Sequence, residues 1–245
     1  MISAFDQACD LIVGNKRQQA GIGTLGEKTL HAVLKFTFEP VESRHEVKIG
    51  SYFADIKNEA GITEIHTQNF NTLRKKLKFF LTDHNVTLVY PIPRRKWLVW
   101  LNPETGEASQ RRKSPKTGSP CDVFFELYKI KQQLKHPHLN LCLLLIDMVE
   151  YRNLDGWSKD KKKGASRYER IPEKLVDTIM INQASDYAML IPAILPHQFT
   201  SADFAKAAKI TRRSAQTALN VLTHVEAVSR VGKLGNAYVY ERCRA

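Results

Sequence analysis

The chain has no apolar run long enough to cross a bilayer. Its longest, LNLCLLLIDMV at 139–149, falls short of the roughly 20 residues a spanning helix needs and is interrupted by Asn140 and Asp147. The opening MISAFDQACD lacks the basic-then-apolar pattern of a secretory leader, so a cytoplasmic location is expected. Cysteine is scarce: Cys9, Cys121, Cys142 and Cys243 are scattered without a C-x-x-C pair, which argues against a structural zinc site and against a disulfide framework. Internal repeats and low-complexity linkers are absent. Acidic residues are also few, 25 against 37 Lys and Arg, and the formal charge of +12 favours polyanionic partners such as nucleic acid or an anionic membrane surface.

The 245 residues suffice for one large domain or for a medium domain plus a small one. Apolar spacing predicts helices over 2–14, 25–38, 69–82 and 121–134, and strands over 45–50, 51–57, 62–68, 86–92, 96–102 and 139–151. The last of these is nearly continuous in apolar residues, as in a strand covered on both faces. Together they describe an α/β (α+β) fold, a mixed central sheet flanked by helices. From about 172 the strands are expected to stop, with PEKLVDTIMINQ and SDYAMLIPAILP helical. The predicted domains are therefore 1–171 and 172–245.

Two short alternating runs around Asn58-Glu59-Ala60-Gly61 place Asp55 opposite Glu64 in an antiparallel hairpin. Directly opposed like charges are destabilising, and a divalent cation such as Mg²⁺ between them would offset the repulsion. His66, two residues beyond Glu64, shares its face. The same spacing also fits a solvent-exposed hairpin face on which these residues merely sit. Glu27 is a third acid, although Thr24-Leu25-Gly26-Glu27 has the form of a capping box in which it would bond its own helix start. Lys75, Lys76 and Lys78 read as a solvated helix face.

The order GEKTLHAVLK, strand, FADI, tight turn, TEIHT and basic helix, over residues 24–82, resembles the catalytic core of the PD-(D/E)xK nuclease superfamily. The resemblance implies a restriction-endonuclease-like core with Glu27, Asp55 and Glu64 around Mg²⁺ or Mn²⁺, hydrolysing DNA phosphodiester bonds in restriction, phage defence or repair. His66 stands where the family has lysine, and Lys48 on the adjoining strand is a candidate replacement for that charge. A histidine could orient or deprotonate the attacking water. The rival reading is a non-catalytic DNA-binding regulator on a degenerate nuclease fold; a third is an RNA nuclease. Two-stranded cleavage asks for two active sites and so admits a homodimer.

Basic loops would hold the substrate backbone: Arg111, Arg112, Lys113 and Lys116 in one, and Lys159, Lys161, Lys162, Lys163 and Arg167 in the other, unless they are simply solvated. Residues 199–242 look like a winged helix-turn-helix. Thr200 or Ser201 caps its first helix, and Thr211 caps a recognition helix with Arg212, Arg213, Ser214 and Gln216 at the reading end; Arg230 and Lys233 lie in the wing. Such modules bind DNA or dock proteins.

Overall fold

The computed structural model describes residues 2–14, 29–155 and 164–243. A mixed sheet is ordered β1-β2-β3-β4-β6-β7, with β5 on β4. Its strands are β1 (His45–Ile49), β2 (Tyr52–Asn58), β3 (Gly61–Ile65), β4 (Val86–Leu101), β5 (Arg112–Lys113), β6 (Leu139–Asn153) and β7 (Ser166–Ile181). β3, β4 and β6 run parallel, and β1–β2, β2–β3 and β6–β7 are antiparallel. β6 is buried along Leu139–Glu150 apart from Asn140, because helices cover both faces of the sheet.

On one side lie α1 (Ala4–Cys9), which continues as a π-helical turn through Gly14, and α2 (Thr29–Phe38). They pack Phe5, Leu30, Val33 and Leu34 on Ile56, Ile65, Val89 and Leu144. On the other lie α3 (Arg74–Phe80) and α4 (Phe124–Lys129), whose Leu77, Phe80, Phe124 and Leu127 share a core with Ile62, Leu88 and Leu143. The hairpin is thus covered on both sides, with Ala54 facing one core and Ile56 the other.

Two expectations are corrected. The strands expected at 86–92 and 96–102 are one strand, β4, whose register slips between Pro93 and Lys96. Asp147 holds that slip: it takes Arg94 in a two-pronged pair (2.8 and 2.6 Å) and accepts the Arg95 amide at 3.1 Å. The helix expected from 172 is instead the second half of β7, paired with β6 as far as Ile181, so the sheet runs past residue 171. Val176 and Glu173 are extra residues at bulges, and they break the two-residue alternation until LVDTIMI imitates helical spacing.

After a 3₁₀ segment at Ala184–Leu190 come β8 (Gln198–Thr200), α5 (Ser201–Ala208), α6 (Arg212–His224), β9 (Val228–Leu234) and β10 (Ala237–Arg242). Thr200 caps α5 reciprocally with Asp203, and the Thr211 hydroxyl accepts the Ser214 amide at the start of α6. β8-β10-β9 forms a small second sheet. The buried Ala215, Leu219 and Leu222 of α6 join the core beneath α4.

Candidate functional site

β2 and β3 pair from Asn58↔Gly61 to Ile56↔Thr63, the register that sets Asp55 against Glu64. There the ladder opens. The Asp55 amide donates to Glu64 Oε1 (3.3 Å) and the Ile65 amide donates to Asp55 Oδ2 (2.7 Å), so each carboxylate satisfies a backbone group that the opening would orphan. Glu64 is wholly buried, which removes the solvent-exposed reading of this face.

Two neighbours escaped the sequence pattern. Lys76 of α3 turns inward instead of joining a solvated face, and its Nζ stands 2.6 Å from Glu64 Oε2. The angle is poor for a hydrogen bond, leaving Oε2 without a well-formed one, but at this separation the ion pair dominates. His31 of α2 places Nε2 3.3 Å from Asp55 Oδ2. Burial works against ionisation of Asp55, yet the His31 contact and charge, the Ile65 amide and Lys76 outweigh it and hold the carboxyl below its ordinary value. A signal for Lys76 did exist: it lies three residues from Leu73 and one from Leu77, at the edge of the inward stripe.

His66 shares the Glu64 side as expected, with Nε2 3.7 Å from Oε2 and its ring edge-on to Phe70. Lys48 is exposed on β1 opposite Phe53, and no contact joins it to the carboxylates. Glu27 and the capping box proposed for it lie outside the described residues. Among the described residues no three His, Cys, Asp or Glu side chains gather as a metal site. Within the pair, one carboxylate oxygen stays open to a divalent cation. One oxygen of each carboxylate is committed to the opposite strand and Glu64 Oε2 is held by Lys76, whereas Asp55 Oδ1 carries no hydrogen bond from the described residues; Mg²⁺, which characteristically takes one or two carboxylates, would reach Glu64 by displacing Lys76.

The basic residues divide. Arg112 and Lys113 form β5 and are exposed, as is Lys116. Arg111 is not free for a backbone: it pairs through both nitrogens with Glu173 (2.7 and 2.6 Å) and stacks on Trp97 at 4.2 Å. Arg167 lies on β7, 3.5 Å from Glu150. Lys159, Lys161, Lys162 and Lys163 lie outside the described residues. At the C-terminal end Arg212, Arg213 and Gln216 are exposed on the first turns of α6, and Ser214 faces back to Thr211 at 2.8 Å. Arg230 and Lys233 are exposed on β9, over the Tyr238 ring at 4.4 and 5.1 Å.

The profile of a family described as Domain of unknown function (DUF8091) matches residues 28–182, more than half of the chain, and the protein belongs to that family. An uncharacterized protein of Treponema pallidum (strain Nichols) is 34% identical over 165 residues, which are 67% of this chain and 62% of the relative. The matched part thus spans less than two thirds of that relative's length. No solved structure matches. The family match ends at residue 182, beside the end of β7 at Ile181, and so follows the first sheet.

Proposed function

We propose that the protein is a metal-dependent deoxyribonuclease, with a restriction-endonuclease-like core that cuts phosphodiester bonds and a C-terminal winged helix-turn-helix that grips the duplex. The observation that carries this reading is the opened ladder at Asp55 and Glu64, with Lys76 Nζ 2.6 Å from the second carboxylate. A Mg²⁺ or Mn²⁺ ion held by Asp55 and Glu64 would supply Lewis acidity toward a phosphoryl oxygen and a more acidic bound water. His31 fixes the Asp55 carboxylate through Oδ2 and keeps it ionised. Lys76 supplies the permanent positive charge that the resembled family carries at the position of His66, here from a neighbouring helix. That charge steadies the anionic phosphoryl group as the bond to the leaving oxygen lengthens. His66, half-buried with Nε2 beside Glu64, receives a proton from the attacking water.

The test is plasmid cutting in Mg²⁺ or Mn²⁺. The unmutated chain is expected to cut, and Asp55→Ala, Glu64→Ala and Lys76→Met to bind without cutting. A second reading, a DNA-binding regulator on a nuclease-like core, draws on the ion pair itself, because Lys76 already neutralises Glu64. Binding by the unmutated chain without metal-dependent cutting across varied DNA would favour it. No helix among the described residues is long and apolar enough to cross a membrane.

A further inference from the structure

Away from the carboxylate pair, Glu150 of β6 is wholly buried, and four cations from three strands converge on it. Lys96 of β4 lies 3.1 Å from Oε2, Arg152 of β6 2.7 Å from Oε1, and Arg167 and Arg170 of β7 3.5 and 3.4 Å from Oε2. One carboxylate cancels one of these charges, which leaves three in surplus. Among the described residues no second acid pairs with any of the four. Glu169, adjacent on β7, turns its carboxylate to the amides of Thr29 and Arg170 instead.

Gathering like charges where water is partly excluded costs free energy, and burial with mutual repulsion lowers the proton affinity of both Lys96 and Arg170. A structure that only needed to neutralise Glu150 would need one cation. Guanidinium groups present forked donors that match phosphate oxygens in pairs, and three arginines stand here, two of them with 28% and 37% of their side chains exposed, Arg152 and Arg167. The cluster is also linked to the carboxylate pair. The Arg170 charge reaches the Tyr90 hydroxyl, Tyr90 packs edge-on against Phe70 at 5.4 Å, and Phe70 against His66 at 6.2 Å.

We infer that Lys96, Arg152, Arg167 and Arg170 form a phosphate-binding site for the backbone of the bound nucleic acid, with Glu150 holding the four cations in place. The identity of the polyanion rests on the nuclease reading; the site rests on its own charges. Occupation relieves the repulsion among the surplus cations and sets the strand's register relative to Asp55 and Glu64.

Anisotropy of a short labelled DNA duplex, titrated with the full chain in metal-free buffer over a range of salt, tests this. Arg152→Gln and Arg167→Gln should each weaken binding several-fold and lower the slope of log affinity against log salt by about one, while Arg167→Lys should keep the slope. Because Arg167 is the most exposed of the four and the most distant from Glu150, its variants should lower the melting temperature least. Unmutated slopes in both Gln variants would overturn the inference, and so would an unmutated chain that does not bind the duplex. Melting shifts with pyrophosphate that vanish in the Gln variants while their duplex slope stays unmutated would assign the site to a small phosphate compound and overturn the nucleic-acid role. Cutting is scored separately: altered slopes with no metal-dependent cutting would sustain the phosphate site and sink the nuclease.

Discussion

Glu64 has no access to water, and Lys76 is the cation that meets it, so the two residues form one electrostatic unit. Removing the lysine leaves a buried charge uncompensated, which costs on the order of 3 kcal/mol. Lys76→Met should therefore lower stability by about that amount in urea titrations without metal, and Glu64→Gln combined with it should recover most of the loss. Simple additivity of the two changes would show that they do not interact. Glu150 makes a similar argument through pH. Burial opposes its ionisation, but Lys96, Arg152, Arg167 and Arg170 override that and carry its pKa from 4.5 down to about 2. A depressed carboxyl stabilises the fold above its unfolded pKa, and the contribution is lost as pH falls through the folded one. The shift corresponds to roughly 3 kcal/mol. Acid titration of stability should thus show a limb between about pH 4.5 and 2 that shrinks in Glu150→Gln; an identical limb would remove Glu150 as its source.

The hairpin that presents the two carboxylates depends on a backbone detail at its turn. Gly61 has φ +133°, and a Cβ there would collide with the Asn85 carbonyl oxygen, which also accepts the Ile62 amide at 2.8 Å and starts the β3–β4 pairing. Gly61→Ala should cost about 1–3 kcal/mol from the backbone conformation alone, lowering the melting temperature by several degrees. It should also shift Glu64 relative to Lys76; an unchanged melting curve would show that the strand absorbs the side chain. This hairpin was legible in the sequence because its register follows from one tight turn and a two-residue alternation. The buried stripe Phe70, Leu73, Leu77 and Phe80 and the covered strand β6 were legible for the same reason, each having an unbroken period. β7 was not, since the bulges at Val176 and Glu173 destroy the alternation of its second half, and only pairing with β6 reveals it. Spacing put Lys76 at the edge of its helix's inward stripe, but its partner, like those of His31 and the cations around Glu150, lies on another element, and spacing along one element does not name a partner on a neighbour.

At the scale of the whole molecule, the C-terminal segment is fastened to the first sheet. α6 packs on α4, Lys135 pairs with Glu226 at 2.5 Å, Lys131 donates to Asn220 at 3.1 Å, and one apolar cluster runs from Phe70 through Leu127 to Leu222. With a continuous core, unfolding should be a single transition; separate midpoints for tryptophan fluorescence, to which Trp97 and Trp100 of β4 contribute beside Trp157 outside the described residues, and for helical circular dichroism would contradict it. The same attachment fixes α6 relative to the carboxylate pair, so under the proposed nuclease reading the two ends of the protein should act on one duplex. Arg212 and Arg213 are exposed on the first turn of α6, where a groove-reading helix meets DNA. Under that reading, Arg212→Ala with Arg213→Ala should weaken duplex binding and reduce its salt slope by up to about two, because two exposed positive charges are gone. Asp55→Ala should leave both unchanged while abolishing cutting. Cutting by the double arginine variant should then fall at low DNA and recover as DNA saturates, since the chemistry at Asp55 and Glu64 is intact and only delivery is impaired. If saturation restores nothing, α6 contributes to the chemical step itself; if binding is unaffected, the module docks something other than DNA.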